Sequence, residues 1–443
     1  MTGDVQRSVT TCSLETLPLL ILEEICEYVA LERSDNGKDE GRSIWAFSLV
    51  CRNCCYASAA QRFRTIRLEF SNHLLLRDIL NRWDEILTAG NHFRHVRQLI
   101  LVHTDDSTKP GQVHRIDGQG SFDMDDSLKP AGVTISKHWF ATTWSGHQKD
   151  AEKTWQAVAR LISRTAGLKD FVYALRDHLN PCILAAIHDV GCRLHMHYFS
   201  LPSLYQPRYK PSDINADDYA LATSPCLHAI VVSHSQYDID GLVDYHKEAT
   251  LRMVAGVAPN LAHVWLRSKP VGGTVIAFRR AMSSDRPPWR GFFPSKDRED
   301  DVLSMGSLKS LILDDNRVGR DDLLSWGRTT DLSRLESLAV SFKSYGYTSY
   351  TTSCKGLETL VELAIAGQFA SLRSLSLEYN GKNEYYSKVH TAFTVFLNNI
   401  GPLDRLHVPQ LNAMRTEALS AAVSRHVLCP CCEVGFSTVG SYK

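Results

Sequence analysis

Leu335-Glu-Ser-Leu-Ala-Val340 and Leu372-Arg-Ser-Leu-Ser-Leu377 are two copies of one six-residue phrase, which decides the fold. The phrase places aliphatic residues at its first, fourth and sixth positions. The fourth and sixth positions are two residues apart and therefore share one face of a β-strand. Further copies occupy residues 96–101, 227–232, 261–266, 308–313 and 403–408, with a looser copy at residues 168–173.

The spacing of these copies indicates an irregular repeat. From residue 227 onward their first residues are separated by 34, 47, 27, 37 and 31 positions. L-x-x-L-x-L is the strand portion of a leucine-rich repeat, whose regular period is about 20 to 29 residues. Asn316 and Asn380 occupy the asparagine position of that repeat, and helical patterns lie at residues 356–365 and 391–397. We predict an α/β fold with an irregular leucine-rich-repeat-like solenoid, parallel strands inside and helices outside.

A plain α/β domain is the alternative fold, but it would not repeat the same phrase seven times. In such a strand the residue between the last two aliphatic positions faces away from the helices. Stacking the copies aligns Val231, Trp265, Ile312, Ala339, Ser376 and His407, and flanking rows add Ser310, Glu378, His263, Arg267 and Arg405. We expect an exposed, substrate-binding surface, with contacts from His263, Trp265, Arg267, Ile312, Arg405 and His407. The open alternative is that loops of the same chain cover these positions.

Two insertions interrupt the array. Residues 104–130 are rich in Asp, Gly, Ser and Pro, which predicts a flexible surface loop. Residues 268–300 contain Arg279, Arg280 and the stretch Pro287-Pro-Trp-Arg-Gly-Phe-Phe-Pro294. Such a segment either grips a partner through its aromatic and arginine side chains or packs as a cover over the repeats.

The N-terminal stretch predicts three short helices. Leu17, Ile21, Ile25 and Val29 recur every four residues and form one apolar stripe on the first helix. A second helical pattern covers residues 44–52, a third covers residues 57–63, and a strand follows at residues 65–68. Domains below about 60 residues are only marginally stable. Three short helices cannot bury all of this apolar surface among themselves, so the remainder predicts either a partner or packing on the following domain.

These residues resemble a known module. Leu17-Pro18-x-x-Ile21-Leu22-x-x-Ile25, a polar loop, Ser48-Leu-Val-Cys-Arg52, an alanine-rich helix and Phe63 resemble the F-box of filamentous fungi across residues 14–68. A second region, residues 180–204, also resembles fungal F-box proteins through a helix followed by a Cys-Arg-Leu-His strand. Two positions depart from the pattern: Leu20 stands where an acidic residue is often found, and Cys54 where a tryptophan is common.

The resemblance implies a role in protein ubiquitination. F-box proteins dock on the Skp-type linker subunit of a cullin–RING ubiquitin ligase, and the rest of their chain captures a protein substrate. The linker-facing positions implied here are Leu17, Pro18, Ile21, Leu22, Ile25, Leu49, Val50, Cys51 and Arg52. The implied partners are the linker, through it a cullin, and an unidentified protein substrate. The alternatives are a local cap on the C-terminal domain, or a repeat scaffold that acts outside a ligase.

The predicted organisation is a disordered terminus at residues 1–12, an F-box at 13–68, a substrate-binding domain at 69–428 and a tail at 429–443. The 49 basic residues equal the 49 acidic residues in number, so bulk charge favours neither nucleic acid nor an anionic membrane. Apolar segments fall short of the roughly 18 to 20 residues of a membrane helix. With no secretory signal pattern at the N-terminus, we expect the protein in the cytoplasm or nucleus.

The sequence contains no phosphate-loop, dinucleotide, nucleophile-elbow or zincin motif. His195 and His197 form a metal-like pair on a strand, but no third ligand is identifiable. The stretch His426-Val-Leu-Cys-Pro-Cys-Cys432 either binds zinc or caps the last repeat, and Cys51, Cys54 and Cys55 are expected to pack in a core or interface. We predict a non-catalytic ligase subunit with no cofactor; the distant alternative is a hydrolase or metal enzyme around His195.

Overall fold

The computed structural model describes residues 14–31, 42–103, 148–207, 212–237, 242–268, 286–292, 304–314, 318–343, 347–380, 386–408 and 417–426. The predictions for residues 1–12, for the insertion at 104–130, for Arg279, Arg280 and Asn316, and for the tail at 429–443 lie outside these ranges. The chain divides into two compact units. The first comprises residues 1–113, 144–172 and 180–193, and the second comprises residues 114–143, 173–179 and 194–443.

Helices and strands alternate through most of the described chain. The α-helices are α1 (Leu19–Leu31), α2 (Arg42–Ser48), α3 (Arg52–Arg62), α4 (His73–Ala89), α5 (Gln148–Arg164), α6 (Pro181–Val190), α7 (Ala216–Ala222), α8 (His246–Arg252), α9 (Arg320–Thr329), α10 (Tyr347–Ile365), α11 (Tyr386–Asn398) and α12 (Glu417–His426). The strands are β1 (Thr65–Phe70), β2 (Gln98–His103), β3 (Asp170–Ala174), β4 (Arg193–Phe199), β5 (Tyr205–Gln206), β6 (Leu227–His234), β7 (Val243–Asp244), β8 (His263–Ser268), β9 (Ser310–Asp314), β10 (Ser337–Lys343), β11 (Ser374–Asn380) and β12 (Arg405–His407).

In the first unit, the three N-terminal helices precede a parallel strand pair. β1 pairs with β2 from Thr65 opposite Gln98 to Phe70 opposite His103. β1 alternates exposed and buried residues along its length, as expected for a strand with one buried face. The predicted strand at residues 65–68 is therefore confirmed.

The boundaries of α2 and α3 differ from the sequence prediction. A helix was expected to run from residue 44 to residue 52, but α2 ends at Ser48. Leu49 and Val50 form a turn whose N–H groups donate to the carbonyl oxygens three residues earlier, a tightened ending that is common at helix C-termini. Cys51 then adopts an extended conformation (φ −157°, ψ 173°) and caps α3, so the third helix starts earlier than predicted.

In the second unit, the repeated phrases form the strands of a large parallel sheet. The strand order is β4-β6-β8-β9-β10-β11-β12, and pairing is parallel throughout this series. The fourth positions of four successive phrases stand side by side, and all are buried: Leu311, Leu338, Leu375 and Leu406. Each phrase from β6 onward lies on a strand, as predicted, and the α/β class with a parallel sheet is confirmed.

Helices occupy the connections between the later strands, as the sequence predicts. α10 and α11 include the helical patterns at residues 356–365 and 391–397. α6 begins behind the side-chain cap of Asn180 and ends at Gly191, whose positive φ of 70° suits a helix C-terminus. No helix in the described ranges has both the length and the apolarity needed to cross a bilayer.

Candidate docking surface

The three N-terminal helices share a small core. Leu22 of α1 packs with Cys54 and Ala57 of α3, and all three side chains are buried. Leu17, Ile25, Phe47 and Cys51 pack against this cluster from its edge. Because Leu22 is fully buried, its predicted position on a partner-facing surface is corrected. Leu22 and Cys26 lie one helical turn apart and form the inward face of α1.

The other predicted linker-facing residues are accessible to different degrees. Pro18, Ile21, Leu49, Val50 and Arg52 are exposed. Leu49 is 83 % exposed, which is an unusual position for a leucine. Leu17, Ile25 and Cys51 are half-buried, because each also packs on the core of the module.

The structure adds exposed apolar residues that the sequence prediction did not include. Leu20, where an acidic residue is more usual in the F-box pattern, is 66 % exposed. Leu19, Tyr28, Trp45 and Tyr56 are exposed as well. The sequence did contain a signal for the exposed residues of α1. Apolar residues are so numerous in this helix that they cannot all face one side of it. We call Leu19, Leu20, Ile21, Tyr28, Trp45, Leu49, Val50 and Tyr56 the docking surface.

Aromatic and cationic contacts hold part of the docking surface in place. The guanidinium of Arg62 lies 3.8 Å from the centroid of the Trp45 ring and 5.5 Å from that of Phe63. Phe63 in turn stacks on His92, with centroids 4.0 Å apart. Cation–π contacts such as those of Arg62 contribute about 0.5 to 1 kcal/mol at exposed sites. Trp45 is therefore oriented although about half of it, 51 %, is exposed.

The start of α3 is attached to the segment that precedes α1. The side-chain amide of Asn53 donates to the carbonyl oxygen of Glu15 over 3.1 Å. The carbonyl oxygen of Pro18 accepts the N–H groups of Ile21 and Leu22 at 3.0 and 3.2 Å. These bonds fix the beginning of α1 next to α3, so the exposed residues of α1 are presented from a defined backbone.

The second predicted surface, on the sheet, is aligned as expected but buried. Register pairs Val231 with Trp265, Trp265 with Ile312, and Ile312 with Ala339, and the row continues to Ser376 and His407. Val231, Trp265, Ile312 and Ala339 form one buried cluster, and Trp265 is only 8 % exposed. The prediction of an exposed row is therefore wrong, because large parallel sheets are characteristically covered on both faces.

The remaining substrate candidates, which include His407 at the end of the central row, are more accessible than Trp265 and Ile312. His263, Arg267 and His407 are half-buried, and Arg405 is exposed. Arg267 lies 3.7 Å from the carboxylate of Asp314 and 5.0 Å from the Trp265 ring. Burial lowers the pKa of Arg267, an effect that Asp314 opposes.

His195 and His197 are both buried in β4. Neither ring nitrogen of His197 has a hydrogen-bond partner. Burial, with a smaller contribution from His195, lowers the pKa of His197 to about 4. In the described ranges no group of three or more His, Cys, Asp or Glu side chains is arranged to hold a metal ion. Of the proposed tail ligands, His426 donates to the Leu397 carbonyl oxygen over 2.8 Å, and the cysteines lie outside the described residues.

One buried cluster has the composition of a catalytic triad. His246 Nδ1 lies 2.6 Å from Asp244 Oδ1, and His246 Nε2 lies 3.4 Å from Ser200 Oγ. The backbone N–H of Leu201 donates to the same Nε2 at 3.0 Å. A catalytic histidine needs this lone pair to accept the serine proton, so the geometry supports a role in anchoring the chain. Burial raises the pKa of Asp244, but hydrogen bonding to His246 outweighs it and the net pKa is lowered.

Comparisons with known proteins give no family for this chain. No protein-family model matches it, and the comparison with curated proteins found no match.

Proposed function

We propose that this protein is a substrate-recognition adaptor of an SCF-type E3 ubiquitin ligase. On this proposal α1–α3 are an F-box that docks on the Skp-type linker and through it on a cullin. The strands of the second unit belong to an irregular leucine-rich-repeat-like solenoid that holds a protein substrate. The chain carries no chemical step itself. It raises the effective concentration of substrate lysines near the conjugating enzyme.

The observation that supports this proposal best is the exposure of the docking surface. Apolar surface is stabilised by roughly 25 cal/mol for each Å² removed from water, and concentrated exposed apolar residues mark interaction sites. In this module α1 exposes leucine, isoleucine and tyrosine side chains, the turn after α2 exposes Leu49 and Val50, and α2 and α3 expose Trp45 and Tyr56. Tyr28, Trp45 and Tyr56 belong to the residue types enriched among interface anchors. A partner that covers these helices accounts for their composition better than a free surface does.

Binding to a purified Skp-type linker tests the proposal. The full chain with Leu20→Asp and Leu49→Asp places two charges on side chains that are 66 % and 83 % exposed. Burying an unpaired carboxylate in an interface is strongly unfavourable, so we expect affinity for the linker to fall by about 100-fold or more. Leu74→Asp is the matched control, since Leu74 is 59 % exposed on α4, outside the three helices.

Circular dichroism and thermal unfolding of both variants establish that the fold is retained. Linker binding that survives in the double variant, or that never occurs with the wild-type chain, contradicts the F-box assignment. Co-purification with a cullin then separates the two remaining functions. Binding to the linker together with cullin supports the ligase adaptor, whereas binding to the linker without cullin supports the scaffold that acts outside a ligase.

A further inference from the structure

The N-terminus of α3 carries two cysteines in an unequal arrangement. Cys51 caps the helix in an extended conformation, and Cys54 lies in its first turn. The Cys51 sulfur accepts the backbone N–H of Cys54 over 3.4 Å, and the two sulfurs are also 3.4 Å apart. Cys51 is half-buried, while Cys54 is fully buried against Leu22 and Ala57. A partly accessible cysteine is therefore in sulfur–sulfur contact with a buried one.

The surroundings of the two thiols differ as well. The backbone N–H of Cys54 is the largest influence on Cys51 and lowers its pKa, with further help from the Cys54 thiol and the backbone N–H of Asn53. Burial and the charge of Glu15 oppose this effect. Burial raises the pKa of Cys54 to about 11, and its contacts with Cys51 add to the rise. Of the two thiols, the more accessible Cys51 therefore ionises at the lower pH.

We propose that Cys51 and Cys54 form a thiol–disulfide exchange site that reacts with small disulfides of the glutathione class. The Cys51 thiolate attacks one sulfur of the disulfide, forms a mixed disulfide and releases one thiolate. Cys54 then loses its proton and attacks the Cys51 sulfur, which releases the second thiol and closes a Cys51–Cys54 disulfide. Both protein thiols are oxidised and one small disulfide is reduced to two thiols.

The geometry supports closure of the pair. A disulfide has a sulfur–sulfur distance of about 2.05 Å, so the two sulfurs need to approach by roughly 1.4 Å from their present 3.4 Å. Thiols at helix N-termini and in C-x-x-C arrangements have increased thiolate character. Cys55 is next in sequence and exposed, but its sulfur lies 3.7 Å from an Arg62 nitrogen instead. Cys51 is also one of the linker-facing positions implied by the F-box resemblance, but the exchange reaction uses only thiols of this chain and is tested on the free chain without the linker.

Treatment of the full chain with oxidised glutathione tests the site, with acid quenching, alkylation and peptide mapping. We expect the wild type to yield a Cys51–Cys54 disulfide. Cys54→Ser should instead accumulate a stable glutathione adduct on Cys51, because the resolving thiol is missing. Cys51→Ser should yield neither product. Cys55→Ser is the matched control and should behave like the wild type.

A measurement on the wild type covers the case in which a variant fails to fold. The rate of Cys51 alkylation by iodoacetamide should rise at a lower pH than that of free glutathione, with several-fold faster reaction near neutral pH. Three results overturn the proposal: a persistent adduct on Cys51 without closure, pairing of Cys54 with Cys26, or a Cys51 alkylation profile that coincides with glutathione.

Discussion

His197 is a buried imidazole whose titration should make the fold sensitive to mild acid. Its pKa is about 4 in the folded protein, against about 6.5 in an unfolded chain. Between these pH values the unfolded chain binds a proton that the folded chain does not bind. The stability contributed by this difference is fully present above about pH 6.5 and is lost as the pH falls towards 4, by up to about 3 kcal/mol in total.

We therefore expect His197→Leu to flatten the pH dependence of stability. The leucine cannot take up a proton in the unfolded chain, and no hydrogen bond is lost because neither ring nitrogen has a partner. The difference in unfolding temperature between about pH 7.5 and about pH 5 should shrink in the variant. His188→Gln, at an exposed position of α6, is the control and should leave the difference unchanged. An equal acid sensitivity in His197→Leu would remove this histidine as the cause.

Leu20 and Leu22 are two residues apart in α1, yet substitution of each should have a different effect on stability. Leu22 is fully buried against Cys54 and Ala57, so Leu22→Ala should lower the free energy of unfolding by about 2 to 5 kcal/mol. Leu20 is largely exposed, so Leu20→Ala should change it by less than about 0.5 kcal/mol. Chemical unfolding of the two variants checks the pair. Similar losses in both would mean that Leu20 is also a core residue.

Leu20 and Leu22 also show that the sequence did not predict which face of this helix is buried. The apolar run predicts a helix over this region, and α1 is present. The four-residue stripe through Leu17 and Ile21 did not identify the inward face, because leucines occupy neighbouring positions as well. Packing with Cys54 and Ala57 of α3 selects Leu22 for burial. The same packing decides which residues remain available to a partner.

At the scale of single elements, two helical glycines should respond oppositely to alanine. A Cβ at Gly356 in α10 would collide with the carbonyl oxygen of Val318 and lie 3.1 Å from the Phe342 ring. A Cβ at Gly327 in α9 would make an ordinary contact with Leu332 at 3.6 Å. Alanine is favoured over glycine in helices by up to about 1 kcal/mol. Gly327→Ala should therefore raise the unfolding temperature, whereas Gly356→Ala should lower it.

Differential scanning calorimetry of the two glycine variants gives the comparison directly. Gly401→Ala serves as a further reference, because a Cβ there would meet no atom within 4 Å. A gain in stability from Gly356→Ala would show that α10 can move away from Val318 without loss. That result would contradict the close approach of this helix to the segment before α9.

The strands were the elements that the sequence predicted best. What it predicted least well was whether the face of the sheet that carries the Trp265 row is exposed or buried. Leu311, Leu338 and Leu375 lie in register because each phrase sets the same inward positions on its own strand. Trp265 lies in the predicted row as well, yet it is buried. Alternation in a sequence reports which side chains share a face. It does not report whether a second layer covers that face, since this depends on distant parts of the chain.

At the scale of the whole molecule, charge and apolar exposure indicate how a partner should be held. Lysine and arginine together equal aspartate and glutamate in number, so the formal net charge is zero. A neutral chain provides little long-range attraction for either sign of charge. The docking surface is built from leucine, isoleucine, valine and aromatic side chains. Affinity should therefore come from burial of this apolar area, a contribution that salt does not screen.

Binding of the full chain to the Skp-type linker should accordingly depend little on ionic strength. Between about 0.05 M and about 0.5 M sodium chloride, the screening length falls from roughly 14 Å to roughly 4 Å, which weakens interactions between exposed charges. We expect the dissociation constant to change by less than about threefold over this range, as measured by calorimetry at each salt concentration. Glu23→Gln with Glu24→Gln, on exposed positions of α1, should leave the affinity at low salt nearly unchanged. A tenfold or greater weakening by salt, matched by this variant, would assign docking to the acidic side of α1 instead of its apolar residues.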